Sequence, residues 1–348
     1  MVNLLKSHTQ LYNQLLHDAL ANYELGKLKH LPITPEQYGQ DVNQLIGYEL
    51  FNIIESRLSR KEQFLLNRIN KARFQALNTA RQGDLFAAEE LMKTVRTSWD
   101  INQVSSEVNL LYKSFQAAAE AYLDYRRGNF EQAWSNITEA IIIDAMLETE
   151  FGYKILFAHR LHLVQNLVRS EARGQRLEKA LQLGSQLLSY LQGKSENLPF
   201  PVAWDVDTIA TLPPEVISIT FTLVTTEIAL ALAGKNHQAV QELWKIIVNR
   251  IDLTVDDRPI IAPSAYGWLR MKQALFNDSL SSAIEVLSEF LRAGRGKTPL
   301  LWYAAVIDFV AISNELNLPA SATVKQQISN DAVHWQDFPK LLLPLLNN

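Results

Sequence analysis

The chain has 348 residues, 47% of them apolar, a formal net charge of −4 and no cysteine. Disulfides, thiolate nucleophiles and cysteine-based zinc sites are therefore excluded, and the slightly acidic balance gives no global footprint for nucleic acid. No basic segment followed by a long apolar core opens the sequence. The most apolar stretch, residues 216–233, carries Glu227 and five hydroxyl residues, which suits a buried helix better than a membrane span. A soluble, cytoplasmic chain with no nucleic-acid or membrane partner is the expectation.

Residues 2–25 place Leu4, Leu5, Leu11, Leu15, Leu16, Ala19, Leu20 and Tyr23 at spacings of three and four, which predicts an amphipathic helix. Gly26 and Pro32 close it. Thr34-Pro35-Glu36-Gln37 then predicts the cap of a second helix through Val42, Leu45, Ile46, Leu50, Ile53, Ile54 and Leu58. Ser59-Arg60-Lys61-Glu62 is a capping-box pattern. The third helix it opens runs through Phe64, Leu65, Ile69, Ala72, Ala76 and Leu77 to Gln82.

From there one pattern recurs. Gly83-Asp84-Leu85-Phe86-Ala87-Ala88 and Gly128-Asn129-Phe130-Glu131-Gln132-Ala133 each stand between two amphipathic runs. Gln175-Arg176-Leu177-Glu178-Lys179-Ala180, Gly234-Lys235-Asn236-His237-Gln238-Ala239 and Asp278-Ser279-Leu280-Ser281-Ser282-Ala283 follow. A Gly ends the first helix of a pair because it tolerates the left-handed cap. An apolar residue two later and Ala five later let the second helix fold back closely. The Ala spacings are 45, 47, 59 and 44, a period near 45 with one insertion. That insertion, residues 193–214, holds Pro199, Pro201, Pro213 and Pro214 without helical period, and a long surface loop is expected there. Alternating strand runs with hairpin turns are absent. Residues 319–348 should add two short helices, with Leu341, Leu342, Leu343, Leu345 and Leu346 folded back on the last hairpin.

These turns resemble those of the tetratricopeptide repeat family, a helix-turn-helix unit of about 34 residues with small residues where its helices cross. Gly83, Leu85 and Ala88, and again Gly128, Phe130 and Ala133, match the turn; Ala76 and Ala121 match the small residue seven before it. Later units carry Val168, Glu227 and Met271 at that position, Asn236 replaces one apolar turn residue, and the closing Pro is missing. The resemblance covers residues 60–293. It implies an all-α fold, a right-handed superhelical array of antiparallel hairpins. Residues 1–60 would form N-terminal capping helices, 61–298 the repeats with their 193–214 insertion, and 299–348 C-terminal capping helices.

Few stretches carry chemistry. Gly294-Arg295-Gly296-Lys297-Thr298 has the residues of a phosphate-binding loop, but Leu291 stands where the loop needs Gly and a helix precedes it. A helix cap and basic linker is the plainer reading. His159 and His162 are three apart with no third ligand identifiable. Asp252, Asp256 and Asp257 read as a loop before a helix. No Gly-x-Ser-x-Gly elbow occurs. No catalytic residue, metal or cofactor is expected.

Local charge is more informative. Residues 55–73 hold Arg57, Arg60, Lys61, Arg68, Lys71 and Arg73 against Glu55 and Glu62. Residues 131–150 carry five carboxylates and no base. The resemblance implies that first helices line a concave face. In its register the inward positions are Arg73, Leu77 and Arg81, then Phe115, Tyr122, Tyr125 and Arg126, then His162, Gln165, Arg169 and Arg173, and finally Trp268 and Lys272. Arginines bind carboxylates bidentately and aromatics supply anchors. An acidic protein segment or extended peptide is therefore the expected partner. The leading reading is a non-enzymatic adaptor or scaffold that binds a protein or peptide in its groove. Two others stand beside it. One is a peptide-sensing bacterial regulator without its own DNA-binding motif; the other is an all-α enzyme with a central cavity.

Overall fold

The computed structural model describes residues 2–29, 35–194, 197–235, 237–253, 262–277, 279–296, 298–335 and 337–347. Pro32, Thr34, Asn236, Asp256, Asp257, Asp278 and Lys297 lie outside the described residues, as does the side chain of Ala239. The fold is all-helical, and no strand occurs among the described residues.

In chain order the α-helices are α1 (Val2–Lys27), α2 (Pro35–Arg57), α3 (Arg60–Arg81), α4 (Leu85–Thr97), α5 (Ser106–Arg127), α6 (Phe130–Phe151), α7 (Leu156–Arg173) and α8 (Leu177–Leu191). They continue as α9 (Val206–Ile209), α10 (Pro214–Leu232), α11 (His237–Val248), α12 (Pro263–Asn277), α13 (Leu280–Ala293), α14 (Pro299–Leu316), α15 (Pro319–Ala332) and α16 (Leu343–Asn347). The chain divides into two compact units. An inserted unit, Gln40–Val216, interrupts a split unit made of Met1–Gly39 and Ile217–Asn348. Sequence periodicity groups residues 1–60 together; the packing instead places α1 with α13 and α15.

The inserted unit pairs helices that are neighbours in sequence: α3 with α4, α5 with α6, α6 with α7 and α7 with α8, while α3 also reaches α5. Each pairing starts from local chemistry. The Ser59 hydroxyl accepts from the Glu62 N–H, and the Glu62 carboxylate accepts from the Ser59 N–H, so the capping box opens α3. The other Glu62 oxygen accepts from the Ser105 N–H at 3.0 Å, so one carboxylate ties the starts of α3 and α5. Those hydrogen bonds overcome partial burial and push its pKa down to about 2. Gly128 ends α5 at φ +82°, its N–H returning to the Asp124 and Tyr125 carbonyls. Ala76, Ala88, Ala121, Ala133 and Ala180 are all buried.

Polar groups then lock the layers. The Ser114 hydroxyl donates to Asp144 Oδ1 at 2.5 Å, and Asp144 Oδ2 lies 2.7 Å from His159 Nδ1, joining α5, α6 and α7 through three buried side chains. Arg160 grips Glu148 with two bonds of 2.6 and 2.8 Å between α7 and α6.

The insertion is not a bare surface loop. It contains α9, and Leu198, Phe200, Ile209 and Leu212 are buried. Phe200 stacks on Trp134 at 5.8 Å, Trp204 meets Tyr190 edge-on at 5.8 Å, and the Arg160 guanidinium lies 4.7 Å over the Trp204 ring. Prolines remove helical period from this stretch. The apolar side chains between them still supply a layer against α6, α7 and α8.

In the split unit, α14 is the central helix, buried continuously from Leu301 to Val310. Lys272 of α12 and Asp308 of α14 form a buried ion pair at 2.7 Å. Among the described residues two helices, α10 and α14, are long and apolar enough to cross a membrane, and 72% and 67% of their most apolar stretches are buried inside the protein. Helix α1 completes the unit. Tyr23 stacks on Trp302 at 5.4 Å and donates to Asp331 at 2.7 Å, and Lys27 reaches the same carboxylate at 2.9 Å. Burial alone would raise the Asp331 pKa, but these two donors hold it below the usual carboxylate range.

Gly26 is where α1 meets α13. A Cβ there would stand 1.9 Å from the Leu291 carbonyl oxygen, which is backbone and cannot swing away. Gly26→Ala should cost about 1–3 kcal/mol in urea unfolding, the range for overpacking. A Cβ added at Gly47, in α2, would meet nothing within 4 Å, so Gly47→Ala should be neutral or stabilise by up to about 1 kcal/mol.

Candidate functional site

The inserted unit brings four of the expected positions into one connected group. Near the end of α3, the Arg81 guanidinium lies 5.9 Å over the Phe74 ring and 5.8 Å over Tyr122 of α5. Arg126 also lies 5.8 Å over Tyr122 and donates to its hydroxyl at 2.9 Å. Tyr122 meets Tyr125 at 6.2 Å, and Tyr125 meets Phe130 at 6.2 Å. Arg176, at the start of α8, closes the row 4.6 Å over Phe130. The row is an arginine–aromatic ladder that crosses three successive hairpins.

Hairpin geometry explains why it exists. The last turn of a first helix stands beside the first turn of the helix that follows. Side chains near Gly83, Gly128 and Gly174 are therefore stacked from one unit to the next. Phe74 is 58% exposed and Arg81 is exposed, while Tyr122, Tyr125, Arg126, Phe130 and Arg176 are half-buried. The ladder thus offers charged and aromatic edges on a fixed frame. Each exposed cation–π contact contributes about 0.5–1 kcal/mol.

The remaining expected positions are placed otherwise. Arg73 falls on the stripe of α3 that holds Leu66, Ile69, Ala76 and Ala80, and is only 5% exposed. Its guanidinium donates to Gln116, Asn70 and the Tyr112 carbonyl and lies 5.6 Å over the Tyr112 ring. No ion pair meets it among the described residues. Burial pushes its pKa down to about 10. Gln116 passes the contact on to Glu120, which pairs with Arg96, and Arg96 with Glu89.

His162 is half-buried, and its pKa is pushed down to about 3 by burial, with His159 and Arg169 adding to the effect. Gln165 is fully buried, and neither amide atom has a hydrogen-bond partner among the described residues. Arg169 is half-buried and Arg173 exposed, and both are engaged by other groups. Trp268 and Lys272 sit on α12, which α11, α13 and α14 enclose. Trp268 is buried edge-on to Trp244 at 5.9 Å, and Lys272 is held by Asp308.

The other candidates resolve into packing. Arg295 is buried and donates to the Tyr303 hydroxyl at 2.8 Å, so the glycine-flanked stretch anchors the split unit. His159 is held by Asp144, and no group of three His, Asp or Glu fit to hold a metal occurs among the described residues. An open groove of about 630 Å³ runs along α5 and α6, lined by Leu110, Lys113, Trp134, Thr138 and Ile142 with Glu131 and Glu139 at its edge. Its polar groups do not converge on a point.

Sequence reading missed Phe74, Phe130 and Arg176 as members of the ladder. Phe74 lies seven residues before Arg81 on one face of α3, a spacing that could have found it. Compared with known proteins, the chain matches no family model, no curated protein and no solved structure.

The two kinds of arginine should separate in unfolding experiments. Arg126→Ala loses only half-exposed contacts and should shift stability by less than about 1 kcal/mol. Arg73→Ala strips partners from buried polar groups and should cost about 2–4 kcal/mol. Equal effects would remove the distinction between ladder and core.

Proposed function

We infer that the chain is a non-enzymatic binding module, a tetratricopeptide-like array of hairpins that holds a protein or peptide segment against the ladder face. The observation that carries this reading is the ladder itself. Phe74, Arg81, Tyr122, Arg126, Tyr125, Phe130 and Arg176 form one chain of contacts over three hairpins. Isolated surface arginines would be solvated and mobile. Arginines stacked on rings have lost part of their rotamer freedom in advance, which lowers the entropy a partner must offset. Aromatics and arginines are also the residue types that dominate binding hot spots.

Support for the array comes from the period near 45 residues and from the run α3 to α8, in which each helix packs on the next. Repeats of this kind bury their apolar faces only by stacking, and their shared face becomes a recognition surface. The partner chemistry that fits is a carboxylate-bearing segment, since guanidinium groups pair with carboxylates bidentately.

The reading is tested with the double variant Tyr122→Ala/Arg126→Ala. Bait chains, native and variant, are incubated with lysate and their bound proteins quantified by mass spectrometry. A specific partner should fall by at least about tenfold on the variant, the effect of losing 1.4 kcal/mol. The variant should still melt cooperatively, with its midpoint lowered by the lost Tyr122 ring contacts. Equal recovery on both baits would remove the ladder from binding.

A further inference from the structure

Helix α3 carries a second feature, which shares Phe74 and Arg81 with the ladder and extends away from it. At 100° per residue, Arg60, Phe64, Arg68, Lys71, Phe74 and Arg81 fall on one face. It lies opposite the buried stripe of Leu66, Ile69, Arg73, Ala76 and Ala80. All six are exposed, Phe64 at 67% and Phe74 at 58%. None of the four cations forms an ion pair among the described residues. Glu62, the only carboxylate between residues 60 and 81, is tied to Ser59 and Ser105. A chain of net charge −4 therefore concentrates uncompensated positive charge on one helix face.

Two large apolar rings in water flanked by such cations form a surface with a complement. We propose that the outward face of α3 docks an acidic amphipathic helix of a partner protein. This rests on the binding-module reading and names the partner's chemistry. Phe64 and Phe74 are ten residues apart, about 15 Å along the helix. A partner helix lying along α3 meets them with two apolar side chains ten or eleven residues apart. Arg68 and Lys71 stand between the rings, so the partner carries Asp or Glu between its anchors. The order Phe64, Arg68, Lys71, Phe74 runs at intervals of four, three and three, the spacing by which one helix reads another. Arg81, already held between Phe74 and Tyr122, joins this face to the ladder. Two rings 15 Å apart make a poor wedge for a lipid surface, where a continuous apolar face is needed.

A phage-displayed library of roughly 20-residue peptides, long enough to cover a helix of about 30 Å, is panned on the full chain. Enriched sequences should be acidic, with an apolar pair ten or eleven apart. A labelled peptide of that type should bind at least about tenfold more weakly to Arg68→Glu/Lys71→Glu and to Phe64→Ser/Phe74→Ser. Its affinity should also drop as salt is raised. Neutral or basic enriched sequences would overturn the proposal. So would a peptide that loses affinity for Tyr122→Ala/Arg126→Ala but not for Arg68→Glu/Lys71→Glu, although the binding-module reading would then stand. No enrichment on the intact chain would overturn both. Sedimentation with phosphatidylserine vesicles, abolished by Arg68→Glu/Lys71→Glu and without peptide enrichment, would replace the partner helix with a membrane.

Discussion

The pairing of helices that are neighbours in sequence, with buried alanines along the paired helices, is the constraint on which the inserted unit depends. Ala76 and Ala88 are fully buried in the paired helices α3 and α4, and Ala121 and Ala133 are buried in the pair α5 and α6. A hairpin closed in this way still has an apolar face it cannot cover alone. The next hairpin covers it, and the buried chain of Ser114, Asp144 and His159 fixes the layers in register. Because the layers are fixed, their turn-proximal side chains are fixed too. The ladder follows from the packing of successive hairpins.

The split unit solves a different problem. Its core helix α14 is apolar on all sides, so it must be surrounded. The chain surrounds it with helices from both ends of the sequence. Tyr23, Lys27 and Asn22 of α1 bond to Asp331 and Ser288, with more than 260 residues between partners. The close crossing at Gly26 is available only to a residue without Cβ. Forming this unit therefore closes a long loop, and the inserted unit is the content of that loop.

Local order was legible in the sequence, and long-range order was not. The Ser59 and Glu62 capping box, the Gly128 turn and the buried alanines are each decided within six residues, so pattern alone located them. Gln175 shows the same logic at a position without glycine: it takes the left-handed conformation itself, at φ +61°. The docking of Leu198, Phe200 and Trp204 escaped because prolines erase periodicity without removing hydrophobicity. Arg73 escaped because a single arginine on an apolar stripe looks like a surface residue until Gln116 and Tyr112 arrive from α5. The place of α1 escaped because no local pattern encodes a contact with α13. Of the ladder, Arg81, Tyr122, Tyr125 and Arg126 were legible from register, whereas Phe74, Phe130 and Arg176 needed the fold.

The central claim is that the first helices of the inserted unit, at their ladder ends, are where a partner sits. Hydrogen–deuterium exchange on the chain with and without its captured partner tests it most directly, because exchange reads backbone protection element by element. The account predicts added protection in peptides covering residues 60–81 and 115–130, and little change across residues 139–151. Protection confined to residues 139–151, or to the split unit, would contradict it.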